Sequence, residues 1–192
     1  MNTKTEQEIK VIFPDIQTAL TKIRSVATYV RTLYIRDVIY GVAAENDSRK
    51  IRLRSEDNFE YLSIDATHKY KVAVEEGIKK EIEETLYKGS SMEEAVSVIE
   101  SQGAFVEENS YEKIRILYSD ERETEITMDI YPFGVVTEIE GTPKNIHTLA
   151  SKLGFSERDY ISKSADDLYL EWIKENKLPE QWNVRFGLNG KR

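Results

Sequence analysis

The chain has 192 residues and a formal net charge of -8, with 40% hydrophobic and 32% charged residues. This composition is typical of a folded globular protein and argues against disorder or a generally basic nucleic-acid-binding surface. The absence of cysteine excludes disulfides, thiol nucleophiles and cysteine metal sites. The polar start and the lack of a long apolar run predict neither a signal peptide nor a membrane span, so the cytoplasm is the default expected location.

The first half of the chain predicts strands interrupted by one helix. Alternation of apolar and charged residues predicts a strand over 2–13. Apolar residues at helical spacing from Ile16 to Val30 predict a helix over 15–31. Further strands are expected over 33–40, 50–54, 61–74 and 78–87, with turns at 46–48, 57–58 and 75–77.

The second half predicts three helices, each of which begins at a capping residue. These residues are Ser91, Thr142 and Ser164. The first two helices end near Gly103 and Gly154, where glycine favours helix termination. Strands are expected over 105–118, 125–131 and 135–140, and the end from residue 189 is expected to be frayed.

We interpret the whole chain, residues 1–192, as a single α+β domain with its core over 6–176 and a C-terminal tail over 177–192. It contains roughly eight strands and about four helices, and the short turns between strands indicate an antiparallel sheet. With that many strands, the sheet is expected to close into an eight-stranded β-barrel with the helices packed on its outside.

The most informative pattern is the charge along the strands. Because residues i and i+2 lie on the same face of a strand, six strands each present a charged pair or triplet on one face. These sets are Glu6, Glu8 and Lys10; Arg52 and Arg54; Lys69 and Lys71; Glu81 and Glu83; Lys113 and Arg115; and Glu138 and Glu140.

Two arrangements account for this pattern. In an ordinary antiparallel sheet the charged face lies in water and its charges form cross-strand pairs. In the second arrangement the helices cover the aliphatic faces and the charged faces line the barrel interior. The pairs are almost fully charged and their signs cluster by strand, which favours the second arrangement. Buried like charges need a partner, and a polyphosphate with a divalent cation supplies one for both signs.

The motifs that contain these residues resemble, in the same order, the CYTH domain of triphosphate tunnel metalloenzymes. That family includes thiamine triphosphatases, inorganic triphosphatases and class IV adenylyl cyclases. The matched motifs are E-x-E-x-K at Glu6–Lys10, R-x-R at Arg52–Arg54, the strand-four lysine at Lys69 or Lys71, basic-E-x-E at Lys80–Glu83, K-x-R at Lys113–Arg115, and the closing pattern of Asp129, Pro132, Gly134 and Glu138–Glu140.

The resemblance implies a role for each matched residue. Triphosphate would be bound by Lys10, Arg52, Arg54, Lys69, Lys71, Lys80, Lys113 and Arg115. The catalytic set would be Lys10, Arg52, Arg54, Lys69, Glu81 and Glu83. Mg²⁺ or Mn²⁺ would be held by Glu6, Glu8, Asp129, Glu138 and Glu140. Which of these carboxylates contact metal and which position a Lys or Arg stays open.

Three functions follow from the resemblance. The first is metal-dependent hydrolysis of thiamine triphosphate, inorganic triphosphate or a nucleoside triphosphate. The second is class IV adenylyl cyclase activity, and the third is non-catalytic binding of a polyphosphate or nucleotide. The short leader before Glu6 and the Asp37-x-x-Tyr40 spacing differ from the cyclase pattern and favour hydrolysis.

The expected partner is a triphosphate-bearing small molecule, with no nucleic acid and no membrane. A homodimer is left open. The two histidines lack a matching Ser or Cys elbow, and no Walker motif is present, which argues against a hydrolytic triad or a phosphate loop.

Overall fold

A computed structural model describes residues 2–42, 49–58, 60–122, 124–181 and 183–186. The predicted turn at 46–48 and the predicted frayed end from residue 189 lie outside the described residues. The strands are β1 (Asn2–Val11), β2 (Thr28–Val42), β3 (Lys50–Asp57), β4 (Leu62–Glu75), β5 (Ile78–Gly89), β6 (Phe105–Ser119), β7 (Glu125–Tyr131), β8 (Gly134–Glu140) and β9 (Asn183–Val184). The helices are α1 (Ile16–Arg24), α2 (Met92–Ser101), α3 (Pro143–Leu153) and α4 (Ala165–Asn176), with a 3-10 turn at Glu157–Asp159.

The strands form one sheet that closes on itself. Its order is β2-β3-β4-β5-β1-β8-β7-β6, and β6 pairs again with β2 to complete the barrel. The eight strands of this ring pair in antiparallel fashion with their neighbours. The predicted α+β fold, an eight-stranded antiparallel barrel with helices outside, is confirmed.

The short strand β9 lies in the segment expected to be a tail. It pairs in parallel with β6 through Ser110 and Tyr111, beside the stretch of β6 that pairs with β7. The side chain of Ser110 hydrogen-bonds Asn183, and Arg185 forms an ion pair with Glu112. These contacts fasten residues 183–185 to the barrel.

Helix α1 is shorter than the spacing of apolar residues predicts. It ends at Arg24, with Ser25 as its C-cap, and β2 begins at Thr28. The prediction of helix to residue 31 was wrong because Thr28, Tyr29 and Val30 are β-branched or aromatic and Thr28 and Tyr29 pair with β6. Val30 continues the helical spacing by coincidence and is 49% exposed.

The hydrophobic core lies between the outside of the barrel and the helices. Ile9, Val11 and Ile139 pack in one cluster with α1 and α3, which contribute Ile23 and Leu149. A second cluster joins β3 and β4 to α2. A third joins α4 to Val184 of β9, with the aromatic side chains of Tyr111 and Phe133 packed against it. The aliphatic faces of these strands therefore point toward helices, which leaves the charged faces for the interior.

The helices that the structure describes include none with the length and apolar character needed to cross a membrane.

Candidate functional site: a charged cavity inside the barrel

A cavity of about 660 Å³ occupies the barrel interior and is called the large cavity below. Alternation along each strand aims the charged residues into it. The residues singled out from the sequence that line it are Glu6, Glu8, Lys10, Arg52, Arg54, Lys69, Glu81, Glu83, Lys113, Arg115, Glu138 and Glu140. Basic side chains slightly outnumber acidic ones on this wall, although the whole chain is acidic.

Two of the residues singled out whose side chains the structure describes, Lys80 and Asp129, do not line the large cavity. Lys80 is exposed and lies on the outer face of β5, whereas its neighbour Lys79 lines the cavity. The i, i+2 rule places Lys79, not Lys80, on the face of Glu81 and Glu83. The side chain of Lys71 lies outside the described part of the structure. Asp129 is buried behind the wall, where it holds basic residues.

Arg54 is held rigidly by a residue that the motifs do not contain. Asp37 on β2 is fully buried and accepts hydrogen bonds from Arg54 Nε at 2.7 Å and Nη2 at 2.8 Å. Burial alone would raise the pKa of Asp37, but the charges of Arg54 and Lys113 hold that pKa below its ordinary value. Asp37 therefore remains an anion that orients Arg54. Arg54 lies on a neighbouring strand and not near Asp37 in the sequence, so the sequence alone did not predict that Asp37 orients it.

Asp129 likewise orients Lys113 and Arg115. It accepts from Lys113 Nζ at 2.7 Å and from Arg115 Nε and Nη2 at 2.6 Å each. Arg115 also donates to Glu138 at 2.9 Å. Burial, then the charge of Arg115, lowers the pKa of Lys113 to about 8, so its proton is held less firmly than that of an ordinary lysine.

On the opposite wall, Lys69 lies between two carboxylates. Its Nζ is 2.5 Å from Glu83 and 3.4 Å from Glu81. Arg52 Nη2 is 3.5 Å from Glu83, and its Nε is buried without a hydrogen-bond partner among the described residues. Burial alone would raise the pKa of Glu83, but Arg52 and Lys69 lower it to about 2. Arg52 lines the large cavity and is held toward Glu83 by this ion pair.

The carboxylates of β1 and β8 gather at one part of the wall, and each is engaged by a cation. Glu8 accepts from Lys10 at 2.7 Å and from Lys79 at 3.4 Å. Glu6 and Glu140 share Lys4, whose Nζ lies 3.0 and 2.8 Å from them. Lys4 is 63% exposed, so its ammonium group is the accessible member of this cluster.

The donor chemistry of this cluster suits a hard divalent cation. Carboxylate oxygens are the ligands that Mg²⁺ and Mn²⁺ prefer, and Glu6, Glu8, Glu138 and Glu140 lie on neighbouring strands. As the side chains stand, no three acids or histidines in the described ranges converge closely enough to hold a metal ion. The cluster therefore fits a metal by ligand type, while Lys4 occupies the space between Glu6 and Glu140 and Lys10 that between Glu8 and Glu138.

The large cavity also has a mouth that the motifs did not reveal. Arg49, Lys50, Tyr70 and Glu108 lie on its wall, as do Ser164, Ala165 and Asp166 at the start of α4. Lys50 forms an ion pair with Glu108. No local pattern identified these residues, because α4 reaches the barrel only through tertiary packing. Neither histidine lines the cavity in the described part of the chain.

No family model matches the chain. No curated protein matches it either.

Solved structures do resemble the chain. The PH1012 protein of Pyrococcus horikoshii OT3 has a TM-score of 0.67 and 21% identity, over 85% of this chain and 98% of that one. A proposed adenylate cyclase from Vibrio parahaemolyticus has a TM-score of 0.62 and 15% identity, over 86% and 98%. The proposed adenylyl cyclase HpAC1 from Hippeastrum, described as having a dominant triphosphatase activity, has a TM-score of 0.62 and 16% identity, over 92% and 98%.

The architecture and the solved structures together establish the fold of the chain. The chain has the fold of the triphosphate tunnel, or CYTH, proteins, as the ordered strand motifs predict. At these identities the likeness establishes the fold, and the chemistry has to be argued from the cavity itself.

Proposed function

We propose that this protein is a Mg²⁺- or Mn²⁺-dependent hydrolase of a triphosphate-bearing small molecule. The observation that carries the proposal is the convergence of Lys10, Arg52, Arg54, Lys113 and Arg115 on one cavity inside the barrel. A triphosphate carries several negative charges on a narrow chain of oxygens, which matches rows of fixed cations.

The basic residues bind and orient the phosphate chain. Arg54 and Arg115 are each held by two hydrogen bonds to a buried aspartate, so they are aimed before the ligand arrives. Preorganised charge of this kind stabilises the charge that develops on a transferring phosphoryl group. These contacts stabilise the hydrolytic transition state and account for most of the proposed rate enhancement.

The carboxylates Glu6, Glu8, Glu138 and Glu140 are the residues that would hold the metal. A bound divalent ion supplies neutralisation of phosphate charge and a lower pKa for attacking water. Glu138 and Glu8 also hold Lys10, which keeps that lysine charged within the wall. Asp129, fully engaged by Lys113 and Arg115, is in this proposal a residue that positions them.

A second candidate is class IV adenylyl cyclase. It is favoured by the likeness to proposed adenylate cyclases from Vibrio parahaemolyticus and Bacillus halodurans. In that reaction the 3′-hydroxyl of ATP attacks the α-phosphate and pyrophosphate leaves. Non-catalytic binding of the same ligands is the third alternative.

One assay separates these functions. The purified protein is incubated with ATP, thiamine triphosphate or tripolyphosphate, with Mg²⁺, Mn²⁺ or EDTA. We expect metal-dependent release of phosphate. Cyclic AMP with pyrophosphate would replace our proposal by the cyclase, and binding without turnover would replace it by a binding module.

Two variants check the assigned roles in this assay. Arg54→Ala removes a fixed cation, so we expect weaker triphosphate binding. Glu140→Gln keeps the side-chain shape but removes an anionic ligand, so we expect a higher metal concentration at half-maximal rate. Unchanged kinetics in both variants would contradict the proposed site.

A further inference from the structure

The interior face of β1 carries two acids between two bases. Lys4, Glu6, Glu8 and Lys10 share this face, because residues i and i+2 of a strand point to the same side. Glu6, Glu8 and Lys10 line the large cavity, and Lys4 precedes them on the strand. Each lysine contacts one of these acids and one carboxylate of β8, so the two lysines bracket the carboxylate cluster.

The two lysines differ in how firmly they are enclosed. Lys10 is held between two carboxylates of the wall, and its side chain is only 8% exposed. Lys4 Nζ lies 3.0 Å from Glu6 and 2.8 Å from Glu140, but the Lys4 side chain is 63% exposed. Breaking a buried ion pair is costly, whereas an exposed pair contributes little because water replaces the partner. Lys10 is therefore a fixed cation of the wall, and Lys4 is a cation that can be displaced.

The strand pairing of β1 brings Lys4 to these acids. The backbone of Lys4 is fixed in the ladder with β5, where it lies opposite Glu83. The ladder of β1 with β8 begins at Glu8, which lies opposite Glu140. Lys4 precedes this ladder, and its long side chain crosses to Glu140, a residue 136 positions away in the sequence. The E-x-E-x-K motif begins only at Glu6, so the contact of Lys4 with β8 lies outside every motif that the sequence displays.

The ammonium group of Lys4 and a divalent cation compete for the same oxygens. Oε1 of Glu6 and Oε1 of Glu140 both contact Lys4 Nζ. Mg²⁺ and Mn²⁺ prefer carboxylate oxygens, and Glu8, opposite Glu140 in the strand register, supplies a third carboxylate nearby. The ammonium engages one oxygen of each acid and repels a second cation. Only the fraction of molecules in which Lys4 has moved away therefore binds metal at full affinity.

We propose that Lys4 is a built-in competitor of the divalent cation, and that it sets the metal concentration at which the carboxylates of β1 and β8 are filled. This inference rests on the proposed function, since it takes Glu6 and Glu140 to be metal ligands. It goes beyond that function by assigning the metal requirement to a residue that binds neither the metal nor the phosphates. Lys4 holds the two acids together when metal is scarce and releases them when metal is plentiful.

Binding of Mn²⁺ alone, without any triphosphate, tests this role. Mn²⁺ is titrated into the protein at one ionic strength, and electron paramagnetic resonance measures the free ion. Lys4→Met keeps most of the length of the side chain and removes its charge. We expect this variant to bind Mn²⁺ roughly 5-fold more tightly than the unmodified protein, as for removal of two partly exposed competing ion pairs. Lys4→Arg keeps both charge and reach, so its affinity for Mn²⁺ is expected to stay close to that of the unmodified protein.

Two further variants separate local competition from a change in net charge. Lys152→Met is the matched control, because Lys152 is exposed in the last turn of α3 and does not line the large cavity. It removes the same charge and is expected to leave Mn²⁺ affinity unchanged. Glu140→Gln removes one of the two partners of Lys4. In that background Lys4→Met is expected to gain less affinity, because residues in contact are energetically coupled.

The outcomes separate this inference from the function on which it rests. Equal Mn²⁺ affinities of Lys4→Met and the unmodified protein overturn the inference and leave the proposed function intact. A gain in Lys152→Met as large as that in Lys4→Met, or a gain that persists in full with Glu140→Gln, also overturns it. Failure of every variant to bind Mn²⁺ overturns the inference as well, and it contradicts the proposed function only if metal-dependent release of phosphate is also absent.

Discussion

Arg54 and Arg115 are both anchored at two points by buried aspartates, although only one of those aspartates belongs to a motif. Asp37 holds Arg54 from β2, and Asp129 holds Arg115 from β7. A guanidinium fixed by two hydrogen bonds loses little further freedom when an anion arrives, which favours binding. The acids of the barrel thus serve first to fix its cations.

Lys113 gives the site a pH dependence. Burial and the neighbouring Arg115 lower its pKa to about 8. Only the protonated amine attracts phosphate, so we expect tripolyphosphate affinity to fall as pH rises through 8. In the variant Lys113→Arg the side chain stays charged, so the affinity of this variant for tripolyphosphate is expected to fall less between pH 7 and 9. Calorimetric titration across that range measures both proteins, and identical profiles would contradict this role.

The sign of the stability effect of Lys113 is the opposite. The unfolded chain keeps this proton up to the ordinary lysine pKa of 10.5, while the folded chain releases it near 8. Because the unfolded state binds more protons between these values, this residue favours folding as pH rises through that window. A fall in phosphate affinity there therefore does not reflect loss of the fold through Lys113.

Local periodicity predicted most of the cavity wall and missed what depends on tertiary contact. The i, i+2 rule places Arg52, Lys69 and Arg115 inside, as found. The basic-E-x-E motif predicted that Lys80 binds the ligand, although the i, i+2 rule places Lys79 on the interior face. Asp166 belongs to no such pattern, because only the packing of α4 against the barrel brings it to the cavity.

At the scale of elements, helix α2 stabilises the barrel from outside, and none of its residues lines the large cavity. Ser91 caps the start of helix α2, and its hydroxyl accepts from Glu94 N. The helix buries Ala95 and Ile99 against β3 and β4. The outer surfaces of Ile51 and Leu53 are covered in this way, while Arg52 between them points inward. One strand therefore belongs to both the core and the site.

Ile99→Ala tests this separation of stability from binding. Ile99 is 1% exposed, so truncation leaves a cavity and is expected to lower the free energy of unfolding by about 2–5 kcal/mol. Met92→Ala on the same helix removes a 42% exposed side chain and is expected to cost under about 1 kcal/mol. Urea unfolding measures both.

Below the unfolding transition, both α2 variants are expected to bind tripolyphosphate as the unmodified protein does. A large loss of affinity in folded Ile99→Ala would mean that α2 shapes the interior, which contradicts the division of roles.

The boundary that periodicity predicted between α1 and β2 was also wrong, for a physical reason. The spacing of apolar residues continues past Arg24, but Thr28 and Tyr29 gain strand pairing with Ser119 and Tyr118 of β6. Because β2 closes the barrel against β6, this tertiary pairing outweighs the local helical pattern. Strand β9 was not predicted, because a strand of two residues is too short to show alternation.

At the scale of the whole molecule, the barrel reverses the usual placement of charge. Aliphatic side chains lie between sheet and helices, and charged side chains lie inside. Many interior charges pair with one another, which limits the cost of burial before a ligand binds. An incoming triphosphate has to compete with these pairs, so its affinity depends on the cations that face the cavity rather than on the net charge of the protein.

The adjacent lysines Lys79 and Lys80 test this claim most directly, because one lies on the cavity wall and the other lies outside. Tripolyphosphate is titrated into Lys79→Ala, Lys80→Ala and the unmodified protein at one ionic strength with Mg²⁺ present. The account predicts a loss of affinity of roughly 10-fold for Lys79→Ala, as for removal of one charge-assisted hydrogen bond, and no loss for Lys80→Ala. Equal affinities in both variants, or a loss confined to Lys80→Ala, would contradict the placement of triphosphate inside the barrel.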